Sequence, residues 1–426
     1  MGFLILALMA ACVALILTKK LPTAFALGIL AVGIGLLAGA PLTGGDDSIT
    51  TGVLETGAAL LAATIVAIIL GSWLGALMDV TGIASTVVRK TVELGGDRPY
   101  GVAVGVFLVA TLTGTVTGSA PAAMLVGLIA IPAMIGIGLP QVTAAGVVVV
   151  GLSAGIPLEL ISWQFLSEAV GVPVSVVRDF QLSFFPIVLG FGLGYVFIES
   201  RRRGTVHSWA MRTSTTEPAV KARTEAPWYS LPTPLVPIIL AVGLEVPIVP
   251  SLLTGIAYAL LTTTRPGKLA STAMRTLYRG FEVAAPPTVL FIAIGMLLQA
   301  VNLPGAVTAL RPLVSAVTPQ NVVVFVIVLG LLAPLCLYRG PFNIYGMGAG
   351  VAGVLIAGQV YPAPAVLGVM ASYNQVLAVS DPTSTQTVWS ADYAGVRPEK
   401  LMLRTLPYTW LLAVAGLVLT AARFLV

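Results

Sequence analysis

The chain has 426 residues, 57% hydrophobic and 9% charged, against about 25% charged in soluble proteins, so it reads as a polytopic, all-α membrane protein. Its net charge of +5 sits in loops, which excludes a nucleic-acid partner. One histidine, His207, in a polar stretch, and no GxxxxGK[ST] loop exclude paired-histidine zinc chemistry, intramembrane Ser–His catalysis and an ATP-driven motor.

Apolar runs of about 17–25 residues are the spanning candidates. The first covers 2–18; no basic stretch precedes it and Lys19-Lys20 follow it, so it reads as a span rather than a signal peptide. Spans at about 21–40 and 56–78 come next, then an odd piece at about 100–138, then spans at 142–164 and 180–199. The polar stretch Arg201–Ser230 reads as a linker. Beyond it, spans are expected at about 231–245, 249–264, 283–302, 364–389 and 405–425, with a second odd piece at 320–360. Each odd piece is a pair of apolar legs meeting at a small, polar or charged break. Tyr100 to Thr113 is fourteen residues, about 21 Å of helix, which favours a re-entrant hairpin over two full spans. Gly82–Gly95 and Arg265–Arg279 are basic and partly amphipathic, suiting interfacial helices, and Gly305–Thr318 is the outer counterpart of the first. Cys12 and Cys336 lie in apolar context, which argues against a disulfide or a thiolate metal site.

Placing Lys19-Lys20 inside puts 18 of the 22 Lys and Arg on the cytoplasmic side, with Arg178, Arg311 and Arg423 outside and Arg339 in a break. Both termini then face outward across ten spans of the plasma (inner) membrane, and linker 201–230 is cytoplasmic.

The two halves repeat weakly. ATIVAIILGSWLGALMDVTGIASTVVRKTVELGG leads into GVAVGVFLVATLTGTVTGSAPAAMLVGLIAIPAMIGIGLP, and PPTVLFIAIGMLLQAVNLPGAVTALRPLVSAVTPQ leads into NVVVFVIVLGLLAPLCLYRGPFNIYGMGAGVAGVLIAGQVYP. Gly82 pairs with Gly305 and Gly171 with Gly395, separations of 223 and 224. With five crossings each, residues 1–200 and 231–426 enter the membrane in opposite directions. Inverted repeats of this kind place their sites near the midplane, where broken helices meet.

Four breaks supply candidates. The first is Gly114-Thr115-Val116-Thr117-Gly118-Ser119-Ala120-Pro121; backbone N–H groups at the helix start after it attract anions. Its repeat partner, Tyr338-Arg339-Gly340-Pro341-Phe342-Asn343, carries a permanent cation that is costly in lipid, unless Arg339 snorkels to the interface. The third break runs from Gly151 through Ser153, Gly155 and Pro157 to Glu159, where proline removes a backbone donor. The fourth is Asn374-Gln375 followed by Ser380-Asp381-Pro382-Thr383-Ser384-Thr385-Gln386, an oxygen-rich setting for a proton or sodium. Asp381 and Glu159 are the only carboxylates placed well within the spans. Substrate-binding candidates are therefore Thr115, Thr117, Gly118, Ser119, Ser153, Arg339, Gly340, Asn343 and Thr383. Coupling-ion candidates are Asp381, Ser380, Ser384, Thr385, Glu159 and Gly155.

This layout resembles the ion transporter superfamily of elevator-type carriers, and within it gluconate permeases. GSWLGALMDVTGIASTVVRKTVELGG is similar to their span, arm and hairpin entry, and SDPTSTQTVWSADYAG to their acid-containing final broken helix. Citrate symporters share the same logic, whereas the Ser-Asn-Thr hairpin signature of divalent-anion sodium symporters is missing from both tips. The resemblance implies a homodimer with a static scaffold and a moving domain that carries both hairpins. The expected function is secondary active import of a small organic anion, a carboxylate or sugar acid, by symport with protons or sodium. The alternative is a cation/proton antiporter without an organic substrate. No enzyme activity is expected, and no cofactor beyond sodium as a coupling ion.

Overall fold

Backbone polar groups in hydrocarbon must be satisfied within their own segment, and the apolar runs accordingly become helices. The computed structural model describes residues 1–96, 98–117, 119–202, 225–319 and 321–426. Gly118, His207 and most of the expected linker lie outside the described residues. Among the described residues there is no strand. Seven helical runs are long and apolar enough to cross a membrane: Ile49–Val80, Gln141–Leu158, Val174–Arg201, Pro266–Asn302, Val322–Arg339, Ala363–Tyr393 and Pro398–Phe424. Gly2–Leu17, Thr23–Leu37, Pro99–Gly114, Ala120–Gly136, Ile248–Thr263 and Met347–Ala357 are shorter apolar helices. The chain is a multi-pass helical membrane protein.

Three expectations change. The span at 231–245 is helical only over Leu235–Gly243, about 14 Å against a hydrocarbon core of about 30 Å. Pro232 and Pro234 before it supply no backbone donor, and Glu245 after it takes a left-handed φ of 52°. Arg265–Arg279 is not a separate interfacial helix, because most of it joins the 34-residue helix Leu269–Asn302, which runs through Pro286-Pro287. In the second odd piece, the entering leg Val322–Arg339 is by length and composition able to cross, unlike Pro99–Gly114.

The same elements recur in the same order from Ala62 and again from Leu269: a long helix, a shorter one, two legs around a break, a broken helix and a closing long helix. The broken helices are Gln141–Gly155 with Leu160–Val170, and Ala363–Ser380 with Thr385–Tyr393. Their break residues share one backbone conformation, φ −78° and ψ 114° at Glu159, φ −75° and ψ 113° at Asp381. Each second piece ends at a left-handed glycine, Gly171 at φ 72° and Gly395 at φ 71°, the helix-ending geometry that penalises any Cβ.

Leu269–Asn302 packs along Ala62–Val80 and Thr23–Leu37. At Gly280 an added Cβ would lie 2.7 Å from the Trp73 Cα, so the two backbones nearly touch. Beside this contact the Trp73 indole donates to Thr276 Oγ1 at 3.0 Å, and Arg279 pairs with Asp79 at 2.6 Å. In a second group, both legs of the first hairpin pack on Gln141–Gly155, and Pro398–Phe424 packs along Ala363–Ser380.

Candidate functional site

The second broken helix opens because Pro382 offers no N–H and Asp381 is extended. The carbonyls this frees are capped by the residues that follow. Gln386 Nε2 donates to the Ala378 carbonyl at 2.8 Å, and Thr387 Oγ1 to Val379 at 3.0 Å. Ser384 Oγ donates to the Asp381 carbonyl at 2.9 Å, and Thr385 Oγ1 to Gln386 Oε1 at 3.3 Å. Asp381, 2% exposed, accepts at Oδ1 from the Thr383 N–H (2.9 Å), the Thr383 hydroxyl (2.7 Å) and the Tyr338 N–H (3.0 Å). One carboxylate oxygen thus ties the break to the tip of the second hairpin.

That tip is a strained turn. Tyr338 and Arg339 take left-handed φ values of 54° and 57°, a conformation side chains rarely adopt. Asn343 braces it, donating from Nδ2 to the Cys336 carbonyl at 3.3 Å and accepting at Oδ1 from the Tyr345 N–H at 3.0 Å. Gly340 fits because a Cβ there would lie 2.1 Å from the Leu335 carbonyl oxygen. The half-buried Arg339 reaches Thr23 Oγ1 at 3.5 Å, at the start of the second helix. It is on this side, and not on the Thr115–Ser119 tip, that its hydrogen bond among the described residues is made.

The first hairpin is seated on its own broken helix. A Cβ on Gly155 would meet the Thr111 carbonyl oxygen at 2.2 Å, and one on Gly114 would meet that of Leu152 at 2.1 Å. Thr115 Oγ1 donates back to Leu112 at 2.7 Å, while Thr117 and Ser119 pair their hydroxyls at 2.9 Å. At the break, the Trp163 indole donates to the Pro157 carbonyl at 2.8 Å. Glu159 is buried near the Tyr345 phenol, whose oxygen accepts from Asn374 Nδ2 at 3.3 Å.

Each broken helix also reaches the other half. Phe165 lies 5.4 Å from Tyr345 between ring centroids, and Trp389 packs under Gly127 with Tyr393 Oη donating to the Leu128 carbonyl at 3.3 Å. Where the broken helices cross, Ser153 Oγ donates to Gln375 Oε1 at 2.7 Å.

The structure therefore joins Asp381 and, through it, Thr383 to the second tip, and Gly155 to the first, while Ser384 bonds within its own break. Ser380 turns away; its hydroxyl lies 2.9 and 2.8 Å from those of Thr405 and Thr409 on the last helix. The carbonyl caps Thr387 and Trp163 lie outside the sequence candidates, and Gln386 enters them only as part of the oxygen-rich break, although a polar side chain within two turns of a proline break is their signal. Asp381 and Glu159 are also not the only buried carboxylates. Asp79 pairs with Arg279, and Glu199, 0% exposed, pairs with Arg404 at 2.6 Å and Arg202 at 3.5 Å. These acids sit at span ends, where hydropathy counts them as loop. Among the described residues no three His, Cys, Asp or Glu gather as a metal site.

No family model matches the chain, and no curated protein matches it. Its fold is similar to that of the YdaH transporter of Alcanivorax borkumensis, with a TM-score of 0.61 and 15% identity over 94% of this chain and 98% of that one. It is also similar to MtrF of Neisseria gonorrhoeae, described with a class of antimetabolite efflux pumps, with a TM-score of 0.51 and 12% identity over 95% and 96% of the two chains. The likeness is thus to these two proteins, where the sequence motifs pointed to gluconate permeases and citrate symporters.

Proposed function

We propose that the chain is a secondary active transporter of the elevator type that moves a small organic anion together with protons or sodium. The observation that carries this reading is the pairing of each hairpin with a broken helix, the second pair held by the Asp381–Tyr338 hydrogen bond. Paired breaks of this kind expose helix ends to a ligand without leaving backbone groups in lipid. The overall likeness to two proteins named as a transporter and an efflux pump supports transport over catalysis.

On this reading residues 1–200 and 231–426 are inverted repeats, 201–230 is a cytoplasmic linker and both termini face outward. The protein is a homodimer of the plasma membrane. Asp381, with Thr383, Ser384 and Thr385 around it, holds the coupling ion, and Glu159 is the second acid. Ser153, Thr115, Thr117, Ser119, Gly340 and Asn343 line the anion's route, with Arg339 meeting its carboxylate.

The test is thermal stabilisation of purified protein across a carboxylate and sugar-acid panel, with sodium and pH varied. Stabilisation by at least one organic anion is expected. Stabilisation by sodium or pH alone favours a cation/proton antiporter. The efflux named for MtrF makes export the second reading of direction; reversing the imposed ion gradient in proteoliposomes separates it from import.

A further inference from the structure

A cavity of about 20 Å³ lies where the two broken helices cross, lined by Ser153, Gln375, Tyr408, Thr409 and the apolar side chains of Val188 and Leu412. That volume holds one water, provided two to four polar groups face it. Gln375 is 1% exposed and spends its carbonyl oxygen on Ser153. Among the described residues its amide nitrogen makes no hydrogen bond, which leaves a donor of a cavity-lining residue without a protein partner. Tyr408 also lines the cavity and donates its O–H to Glu199 Oε1 at 2.9 Å, so its oxygen lone pairs remain free to accept.

We propose that this cavity binds a single ordered water that accepts from Gln375 Nε2 and donates to Tyr408 Oη, closing a hydrogen-bonded strut from Ser153 to Glu199. Every donor in the strut then points the same way: Ser153 to Gln375, Gln375 to the water, the water to Tyr408, and Tyr408 to the carboxylate. Chains of one polarity strengthen each of their bonds, and this polarity fixes which way the Gln375 amide faces. At the far end Arg404 and Arg202 pair with Glu199 at 2.6 and 3.5 Å, beside the Tyr408 hydroxyl. The strut anchors the crossing of the broken helices to the ends of the two long helices Val174–Arg201 and Pro398–Phe424, whatever ligand the protein carries.

A structure of the full-length protein at a resolution that shows water decides the first part. A peak within about 3.2 Å of both Gln375 Nε2 and Tyr408 Oη is expected, and a dry cavity, or a water touching neither atom, overturns the proposal. Tyr408→Phe and Gln375→Leu each remove one end, and each lowers Tm by a few degrees. Because they share one water, the drop in the double variant is smaller than the sum of the single drops; additive drops overturn the strut. Should either variant fail to fold, the water peak in the unaltered protein still decides.

Discussion

Ser153 of the first broken helix donates to Gln375 of the second at 2.7 Å across 222 positions, the same separation as between the two break residues Glu159 and Asp381. In a two-fold arrangement, a residue touches the equivalent of itself only near the axis. This bond therefore marks the place where an axis relating the halves would pass, and the reciprocal contacts of Phe165 with Tyr345 and of Trp389 with Gly127 fall on either side of it.

Asp381→Asn keeps an acceptor for the Tyr338 and Thr383 N–H groups but removes the charge. Gradient-driven accumulation in proteoliposomes should fall at least about tenfold, while Tm stays close to that of the unaltered protein. Asp381→Ala removes the acceptor as well and should also destabilise, by about 1–3 kcal/mol for the buried donors left unpaired. Unchanged uptake in the asparagine variant, with unchanged pH and sodium dependence, removes Asp381 from coupling.

Gly155→Ala drives a Cβ to 2.2 Å from the Thr111 carbonyl oxygen and must part the first hairpin from its broken helix. The expected cost is about 1–3 kcal/mol, read as a lowered thermal midpoint with loss of transport. Gly190→Ala is the control: no atom lies within 4 Å of its added Cβ, so stability should hold or rise slightly. Equal effects at the two positions would show that the close approach is not tight.

Arg339→Lys tests the anion contact. A guanidinium grips a carboxylate through two parallel bonds that an ammonium does not reproduce. Affinity for the stabilising anion should drop about tenfold, roughly 1.4 kcal/mol, with the sodium or pH response intact. Normal transport by this variant would make Arg339 a snorkelling side chain tethered at Thr23.

Tyr361 lies between helices Met347–Ala357 and Ala363–Ser380 and donates to the Pro319 carbonyl at 2.7 Å. Burial pushes its phenol up to about 12 from 10. The folded state favours the protonated form, so this contribution to stability is complete below pH 10 and is lost as pH rises through 12. Thermal midpoints measured from pH 9 to 12 should fall more steeply in the unaltered protein than in Tyr361→Phe. Parallel slopes would exclude the phenol.

Much of the layout was legible because it rests on hydropathy and on proline. The breaks at Pro157 and Pro382 follow directly from a missing backbone donor, and the first pair of legs from short apolar runs around Gly and Ser, whereas the entering leg of the second, Val322–Arg339, is longer than expected. Contacts between distant segments were not legible. Ser380 looked like an ion ligand because it neighbours Asp381, yet a helical residue faces away from the one that leaves the helix, and Thr405 and Thr409 take its hydroxyl. For Arg339, expected to face the substrate with the Thr115–Ser119 tip opposite, the structure adds a hydrogen bond to Thr23 at 3.5 Å that its sequence neighbours do not announce. Asp79 and Glu199 were passed over because a charge at a span end reads as loop until its arginine, some 200 residues away, is seen beside it.

The helix Leu269–Asn302 is 34 residues long, about 51 Å, whereas the hydrocarbon slab measures about 30 Å. Either it leans steeply or about 20 Å of it stands clear of the lipid. Its first turns carry Arg275 and Arg279 while its last are apolar, so any overhang falls at the arginine end. Because Thr276 and Gly280 already pack on Trp73 of a neighbouring span, only the turns before them are free to stand clear of the lipid, and a steep lean takes up the rest of the length.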